Sequence, residues 1–171
     1  FGTTGAPWAF WGTWRDPWPR AEAKFADNFE KTLWSLLEPG RLLDILAHFI
    51  VFEREGDSGR IVKKMCRYQQ YRAANRIVER AQDPEKRCGL IWHTQGSGKS
   101  LTMVFAVLKL KLHRTVDAPA LASPNILVIT DRKDLDRQIS ATFQACGLPN
   151  PKPMGSMSEL RRTIHSGVAG G

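Results

Sequence analysis

Apolar and polar positions divide the chain into short amphipathic runs separated by glycine- and proline-rich breaks. From Asp27 to Leu37 the apolar residues recur at helical spacing, and Pro39-Gly40 closes the run, which predicts a helix. Arg41–Phe52, containing the most apolar stretch "LLDILAHFIVF", is predicted as a second helix. At eleven residues that stretch is well short of the roughly 20 that a membrane span needs. "EREGDSGR", Glu53–Arg60, is polar and Gly/Ser-containing, and is the best candidate for a linker and domain boundary. Ile61–Arg80 is predicted as a helix because Val62, Cys66, Ala73 and Ile77 share one stripe at about 100° per residue. After a turn at Gln82–Arg87, Cys88–Trp92 is predicted as a short buried strand and Gly98–His113 as a helix. "APALASP" is a loop, Asn125–Thr130 a second strand, and Lys133–Cys146 a helix with Asp134 in its first turn. Pro149, Pro151 and Pro153 interrupt the pattern before a short helix at Met157–His165. Strand, glycine loop, helix, loop, strand, helix is the order of a parallel α/β sheet.

The first 26 residues follow no such rule. Trp8, Trp11, Trp14 and Trp18 sit three or four apart, as on a helical stripe, yet Pro7, Gly12, Pro17 and Pro19 oppose a continuous helix. A membrane-interface or base-stacking platform competes with aromatic packing against protein. Packing is favoured, because an interfacial helix normally carries a regular basic face.

With 42% apolar and 25% charged residues, the composition is that of a soluble globular chain. The formal charge of +8 suits a polyanionic partner such as nucleic acid or nucleotide, although solvated surface lysine and arginine also account for it. Cys66, Cys88 and Cys146 are odd in number and lack CxxC spacing, so they argue against a disulfide framework or a zinc site and fit a reducing cytosol. The absence of an initiating Met and the terminal "HSGVAGG" are expected of a fragment.

The candidate chemistry lies in "CGLIWHTQGSGKSLTMVFAVLKLK", Cys88–Lys111. A phosphate-binding loop requires converging backbone N–H groups, glycines where a Cβ would obstruct the anion, and a helix N-terminus behind them. Thr94, Gln95, Gly96, Ser97, Gly98, Lys99 and Ser100 supply such a loop. Lys99 would reach the β- and γ-phosphates of a nucleoside triphosphate, and the Ser100 hydroxyl would serve Mg²⁺. The position five before Gly98 is His93 rather than glycine, so the strict G-x-x-x-x-G-K-[ST] pattern is not met. A glycine-rich turn with an exposed lysine is the plain alternative.

Three ordered blocks narrow the reading. "GLIWHTQGSGKSLTM" (Gly89–Met103) resembles the first motor motif of the restriction (R) subunits of type I restriction–modification enzymes, superfamily 2 DNA translocases whose loop commonly departs from glycine where His93 stands. "ILVITDRKDLDRQI" (Ile126–Ile139) resembles their motif Ia region, and "RYQQYRAANRIV" (Arg67–Val78) is similar to their Q-motif segment, with Gln70 in the adenine-recognising position. "RLLDILAHFIVFE" (Arg41–Glu53) resembles the segment joining the nuclease and motor regions. The helical projection also leans Gln70 toward the apolar stripe.

The resemblance implies an α/β fold: an incomplete RecA-like lobe with parallel strands, preceded by a mainly helical, Trp-rich connector. It places connector in residues 1–58 and the first part of an ATP-binding motor in 59–171. It implies ATP and Mg²⁺ as cofactors, duplex DNA and the methyltransferase and specificity subunits as partners, no membrane, and a cytoplasmic location. The expected role is ATP-dependent DNA translocation and cleavage by the whole subunit, with this stretch inactive alone because no D-E-x-H tetrad follows Ile139. Arg132, Lys133 and Arg137 sit where motif Ia would touch DNA, with local ion pairs to Asp131 and Asp134 as the alternative. Arg60, Lys63, Lys64 and Arg67 gather within about 100° of one face of the predicted helix and are read mainly as a solvated or partner-facing surface. Asp16, Glu22 and Lys24 imitate a metal-dependent nuclease motif, but the E-x-K opens a predicted helix rather than a strand. His93 is expected to make a structural hydrogen bond, and His48 to be an ordinary core or edge histidine. Another P-loop ATPase or a non-catalytic interaction module stay open as alternatives.

Overall fold

The computed structural model describes residues 12, 14–15, 25–55, 59–86, 88–112, 124–148 and 152–166. In chain order its elements are α1 (Asn28–Leu37), α2 (Pro39–His48), β1 (Ile50–Glu55), β2 (Arg60–Met65), α3 (Tyr68–Gln82), α4 (Lys99–Leu112), α5 (Lys133–Ala145) and α6 (Met157–Ser166).

Local chemistry explains the helix starts. Asp27 caps α1 by accepting the Glu30 N–H at 2.7 Å, while the Glu30 carboxylate turns back to the Ala26 N–H at 2.6 Å. Pro39 opens α2, where its missing N–H costs nothing, and the Glu38 carboxylate accepts from the Arg41 N–H at 2.8 Å. α4 is apolar on most sides and lies centrally, packed chiefly on α3 and also touching α2 and α5. Phe49, immediately after α2, is fully buried, with its ring 4.7 Å from that of Tyr71 and 5.6 Å from that of Phe105. Trp14 is also buried and meets Tyr71 edge-on at 5.4 Å. That is the packing role favoured for the tryptophan run. Trp8, Trp11 and Trp18, and the imitation nuclease residues Asp16, Glu22 and Lys24, lie outside the described residues.

The fold class differs from the expected parallel α/β lobe. Among the described residues there is a single two-stranded sheet, and its strands are antiparallel, with Ile50 opposite Met65 and Glu55 opposite Arg60. Cys88–Trp92 and Asn125–Thr130, expected as parallel strands, form no ladder, and Leu90, Trp92 and Ile129 are 86%, 87% and 82% exposed. A strand exists only through a hydrogen-bonded neighbour. Neither run has one among the described residues, so apolar composition alone does not make a sheet.

The hairpin lies across the stretch expected to be helix, linker and helix. Its β1 begins two residues after α2, and of "EREGDSGR" Glu53–Glu55 end β1 and Arg60 begins β2, while residues 56–58 lie outside the described residues. Val62 and Cys66 share a face under both a helical and a strand period, which is why the stripe misled. In a strand, side chains alternate, so Lys63 points away from Arg60 and Lys64 and the expected four-residue basic face does not form. Lys64 instead pairs with Glu53 diagonally across the hairpin.

A buried polar cluster joins α2, α3 and α4. Lys109 Nζ, on a residue only 7% exposed, donates to both Asp44 carboxylate oxygens at 2.6 Å and to Asn75 Oδ1 at 2.5 Å. The Asp44 Oδ1 atom also lies 2.8 Å from His48 Nδ1, and Asp44 accepts a hydrogen bond from the Tyr71 side chain. Burial pushes the Asp44 carboxyl up, but hydrogen bonding and charge attraction from Lys109, helped by His48 and Tyr71, outweigh it and leave Asp44 below its ordinary value. Burial and the Asp44 charge push the Cys66 thiol and the Tyr71 hydroxyl well up, so both stay neutral.

A carboxyl whose folded value is depressed contributes stability that is complete above its unfolded value, about 3.9, and lost as pH falls through the folded value. Replacing Asp44 by Asn should therefore lower the melting temperature clearly at neutral pH. The gap from wild type should shrink below about pH 4. Thermal denaturation across pH 3 to 7 checks this, and a gap independent of pH would contradict it.

Candidate functional site

The segment between α3 and α4 turns sharply at Gln95–Gly96 and enters α4 at Lys99. Gly96 and Gly98 have φ of +76° and +79°, in the left-handed region that L side chains avoid. With glycine at both positions the backbone folds tightly enough for the Ser97 N–H to reach the Thr94 carbonyl at 3.3 Å. The loop thus delivers its amides to the positive end of α4, whose first-turn N–H groups have no partner within the helix.

Gln70 lies beneath this loop. It is 3% exposed, in the first turn of α3, and its Oε1 accepts the Arg67 N–H at 2.8 Å. Its Nε2 donates to the Gly98 carbonyl at 3.1 Å and more weakly to that of Ser97 at 3.5 Å. The fit is close: a Cβ built on Gly98 falls 2.5 Å from Gln70 Nε2. The same amide therefore caps α3 and braces the glycine loop, tying together two segments that sequence separates by nearly thirty residues.

Lys99 is exposed, and its Nζ donates to the Thr94 carbonyl at 2.7 Å, so the ammonium hangs over the loop mouth. Ser97 is buried at 7% exposure, yet its Oγ has no hydrogen-bond partner, and the buried Nδ1 of His93 likewise has none. The expected structural hydrogen bond of His93 is thus not made through that nitrogen. Unpaired buried polar atoms are costly, and here two of them flank a glycine loop. A phosphate group matches this donor set: amides, a hydroxyl and an ammonium around glycines that admit close approach. Thr94 and Gln95 are exposed, and Ser100 is half-buried in the first turn of α4. The structure therefore brings Gln70, Thr94, Ser97, Gly98 and Lys99 together through direct contacts, with Gly96 making the turn between them.

Arg132, Lys133 and Arg137 form a separate group, all exposed at the start and in the first half of α5, with Asp131, Asp134 and Asp136 beside them. Sequence reasoning missed the Asp44–Asn75–Lys109 cluster and treated His48 by itself. The available signal was a lysine inside the apolar run of α4, a helix apolar on most sides, where Lys109 is buried. Among the described residues, no group of three or more His, Cys, Asp or Glu residues is placed to hold a metal ion. No helix among them is long and apolar enough to cross a membrane.

Residues 69–170 match the family model described as SWI2/SNF2 ATPase. Over 170 residues the chain is 34% identical to the type I restriction enzyme HindI endonuclease subunit of Haemophilus influenzae, a match covering 91% of this chain and 16% of that protein. It is 34% identical over 119 residues to the Methanocaldococcus jannaschii chain assigned as the MjaVIIP endonuclease subunit of a type I restriction enzyme, covering 66% of this chain and 11% of the other. Similarity extends to the SauCOLORF180P endonuclease subunit of Staphylococcus aureus, at 28% over 109 residues, 64% of this chain and 10% of that one. The chain therefore spans 16% or less of the length of these relatives. No solved structure matches it.

The Gln70 contact separates the two glycines experimentally. Gly96→Ala meets open space and should cost about 1 kcal/mol from backbone conformation alone. Gly98→Ala should cost more, since it also displaces Gln70. On a Gln70→Ala background the excess should vanish, which urea denaturation of the four variants will test as a double-mutant cycle.

Proposed function

Because the chain belongs to the SWI2/SNF2 ATPase family, we propose that it contributes the nucleotide-holding part of the motor in the R subunit of a type I restriction enzyme, an ATP-dependent DNA-translocating and DNA-cleaving protein. The observation that carries this reading is the glycine loop at the head of α4, with the unpartnered Ser97 hydroxyl inside it and Lys99 across its mouth. The relatives named as type I restriction enzyme endonuclease subunits support the choice of subunit.

In this reading residues 1–58 connect to an upstream nuclease region and 59–171 begin the motor domain. The amides of Thr94–Ser100 bind the phosphate tail of ATP, the Lys99 ammonium neutralises its far end, and the Ser100 hydroxyl serves as a ligand for Mg²⁺. Gln70 is the residue assigned to adenine, and to reach the base its amide would turn from the Gly98 carbonyl that it holds in the structure. When bound, Mg²⁺ supplies electrostatic stabilisation of phosphoryl transfer to water. No D-E-x-H tetrad follows Ile139, so this stretch alone holds nucleotide without turning it over. Arg132, Lys133 and Arg137 contact the phosphates of duplex DNA. The methyltransferase and specificity subunits are the protein partners, and the complex acts in the cytoplasm.

Lys99→Ala in the intact subunit should weaken ATP·Mg²⁺ binding by at least about tenfold, the loss of one charge-assisted contact. Lys111→Ala, on the exposed end of α4, should leave it unchanged. Titration calorimetry reads both, and nucleotide binding indifferent to Lys99 at millimolar ATP defeats the proposal. For DNA, Arg132→Ala, Lys133→Ala and Arg137→Ala should each weaken duplex binding irrespective of sequence. Each should also reduce the slope of log affinity against log salt by about one, as expected for a lost phosphate contact. Unchanged slopes in all three would remove α5 from the DNA interface.

A further inference from the structure

The buried cluster lies at the opposite end of α4 from the glycine loop, and the two are mechanically related. Lys109 is ten residues beyond Lys99, which places it roughly 15 Å along the same rigid helix. At the loop end, α3 holds α4 through Gln70 and the Gly98 carbonyl. At the far end, α3 holds it again through Asn75, whose Oδ1 accepts from Lys109 at 2.5 Å. Asn75 is itself fixed by its Nδ2 donating to the Tyr71 carbonyl at 3.0 Å. The Lys109 ammonium also lies 5.4 Å from the centroid of the Phe49 ring, at the end of α2.

A hydrogen bond to Asn75 leaves a buried ammonium without charge compensation, and a solitary buried charge is untenable. Asp44 is the carboxylate that pairs with it, at 2.6 Å through both oxygens, and Asp44 belongs to α2. Three elements converge on one atom, and they are not equivalent. α3 and α4 run close together along much of their length, whereas α2 approaches α4 at few points. The ion pair is therefore the charged tie between α2 and α4, beside the contact of Phe49 with Phe105.

We propose that Asp44 is a positioning residue for the glycine loop, acting through Lys109 and the α4 rod, so that docking of α2 and the geometry of Thr94–Ser100 are thermodynamically coupled. The coupling itself needs no ligand. Its consequence for ATP rests on the function proposed above. With α2 docked, Lys109 is held and α4 sits at the height and rotation that place Gly98 over Gln70. Movement of α2 takes the Asp44 pin from Lys109, loosens the far end of α4 where Asn75 alone still holds it, and slackens the loop. The segment before the hairpin thereby gains control over the loop without touching it.

The test is amide hydrogen exchange in the intact subunit, comparing wild type with Asp44→Asn and with the apolar pair Asp44→Leu/Lys109→Met. The second variant removes the pin while sparing the protein an orphaned charge, which keeps the fold accessible if the first is too unstable. The reporters are the bonded amides of Ser97 and Thr102 in and after the loop, set against those of Ile139 and Phe143 in α5. In whichever variant folds, the loop amides should exchange about tenfold faster while the α5 amides change by less than about threefold. Equal acceleration everywhere would reduce the pair to a general stabiliser, and an unchanged loop would disprove the coupling outright. Lys109→Arg, which keeps the charge opposite Asp44, should retain most of the loop protection. ATP·Mg²⁺ affinity, measured in parallel, should fall with loop protection. Failure of wild type to bind nucleotide sinks the functional reading and leaves the exchange result standing, whereas an unresponsive loop in an ATP-binding protein sinks the coupling alone.

Discussion

An ammonium inside a protein has few tolerable arrangements, and the one around Lys109 dictates how the helices of this molecule sit. The charge must be met by a carboxylate, its remaining hydrogens by neutral oxygens, and the surrounding space by groups that tolerate a cation. Asp44, Asn75 and the face of Phe49 meet these needs from α2, from α3 and from the residue that ends α2. Apolar contact is forgiving about small shifts, whereas a bidentate carboxylate at 2.6 Å is not. The core around Tyr71, Phe49 and Phe105 supplies most of the burial, and the polar cluster decides how the helices are seated within it.

The glycine loop depends on that seating. Its own residues determine that it turns sharply and opens a helix, since Gly96 and Gly98 both take positive φ. They do not determine what lies beneath it. Gln70 does that, by filling the volume that a side chain at position 98 would need and by donating to the loop carbonyls. The candidate site thus combines the loop with two helices, α3 and α4, that meet beneath it. Membership of the SWI2/SNF2 ATPase family and the likeness to type I restriction enzyme endonuclease subunits are what support the function proposed for it.

Helices were legible in the sequence wherever a local signal marked both ends. α1, α4, α5 and α6 fall within a residue or two of expectation, because Asp27, the glycine loop, the "TDRKD" turn and Gly155-Ser156 are punctuation that acts over one turn of chain. The candidate site was legible for a similar reason. Glycines flanking a Ser-Gly-Lys-Ser run have few uses, and Gln70 was singled out by its resemblance to the Q-motif. The hairpin was not legible. The chain passes from α2 to β1 through Phe49 without any polar break, and β2 shares its i, i+4 apolar spacing with a helix.

Residue order alone therefore determined the short-range features: helix ends, the glycine turn, the basic balance and the family. Tertiary structure decided everything that needs a distant partner. It made Ile50–Met65 a hairpin because each strand had the other to bond. It left Cys88–Trp92 and Asn125–Thr130 unpaired because, among the described residues, no strand lies beside them. It turned an aspartate in one apolar run and a lysine in another into a single buried pair. The physical reason is range. Backbone torsion and capping act within a few residues, whereas hydrogen-bond ladders and buried charges are satisfied only by groups that folding brings from far along the chain.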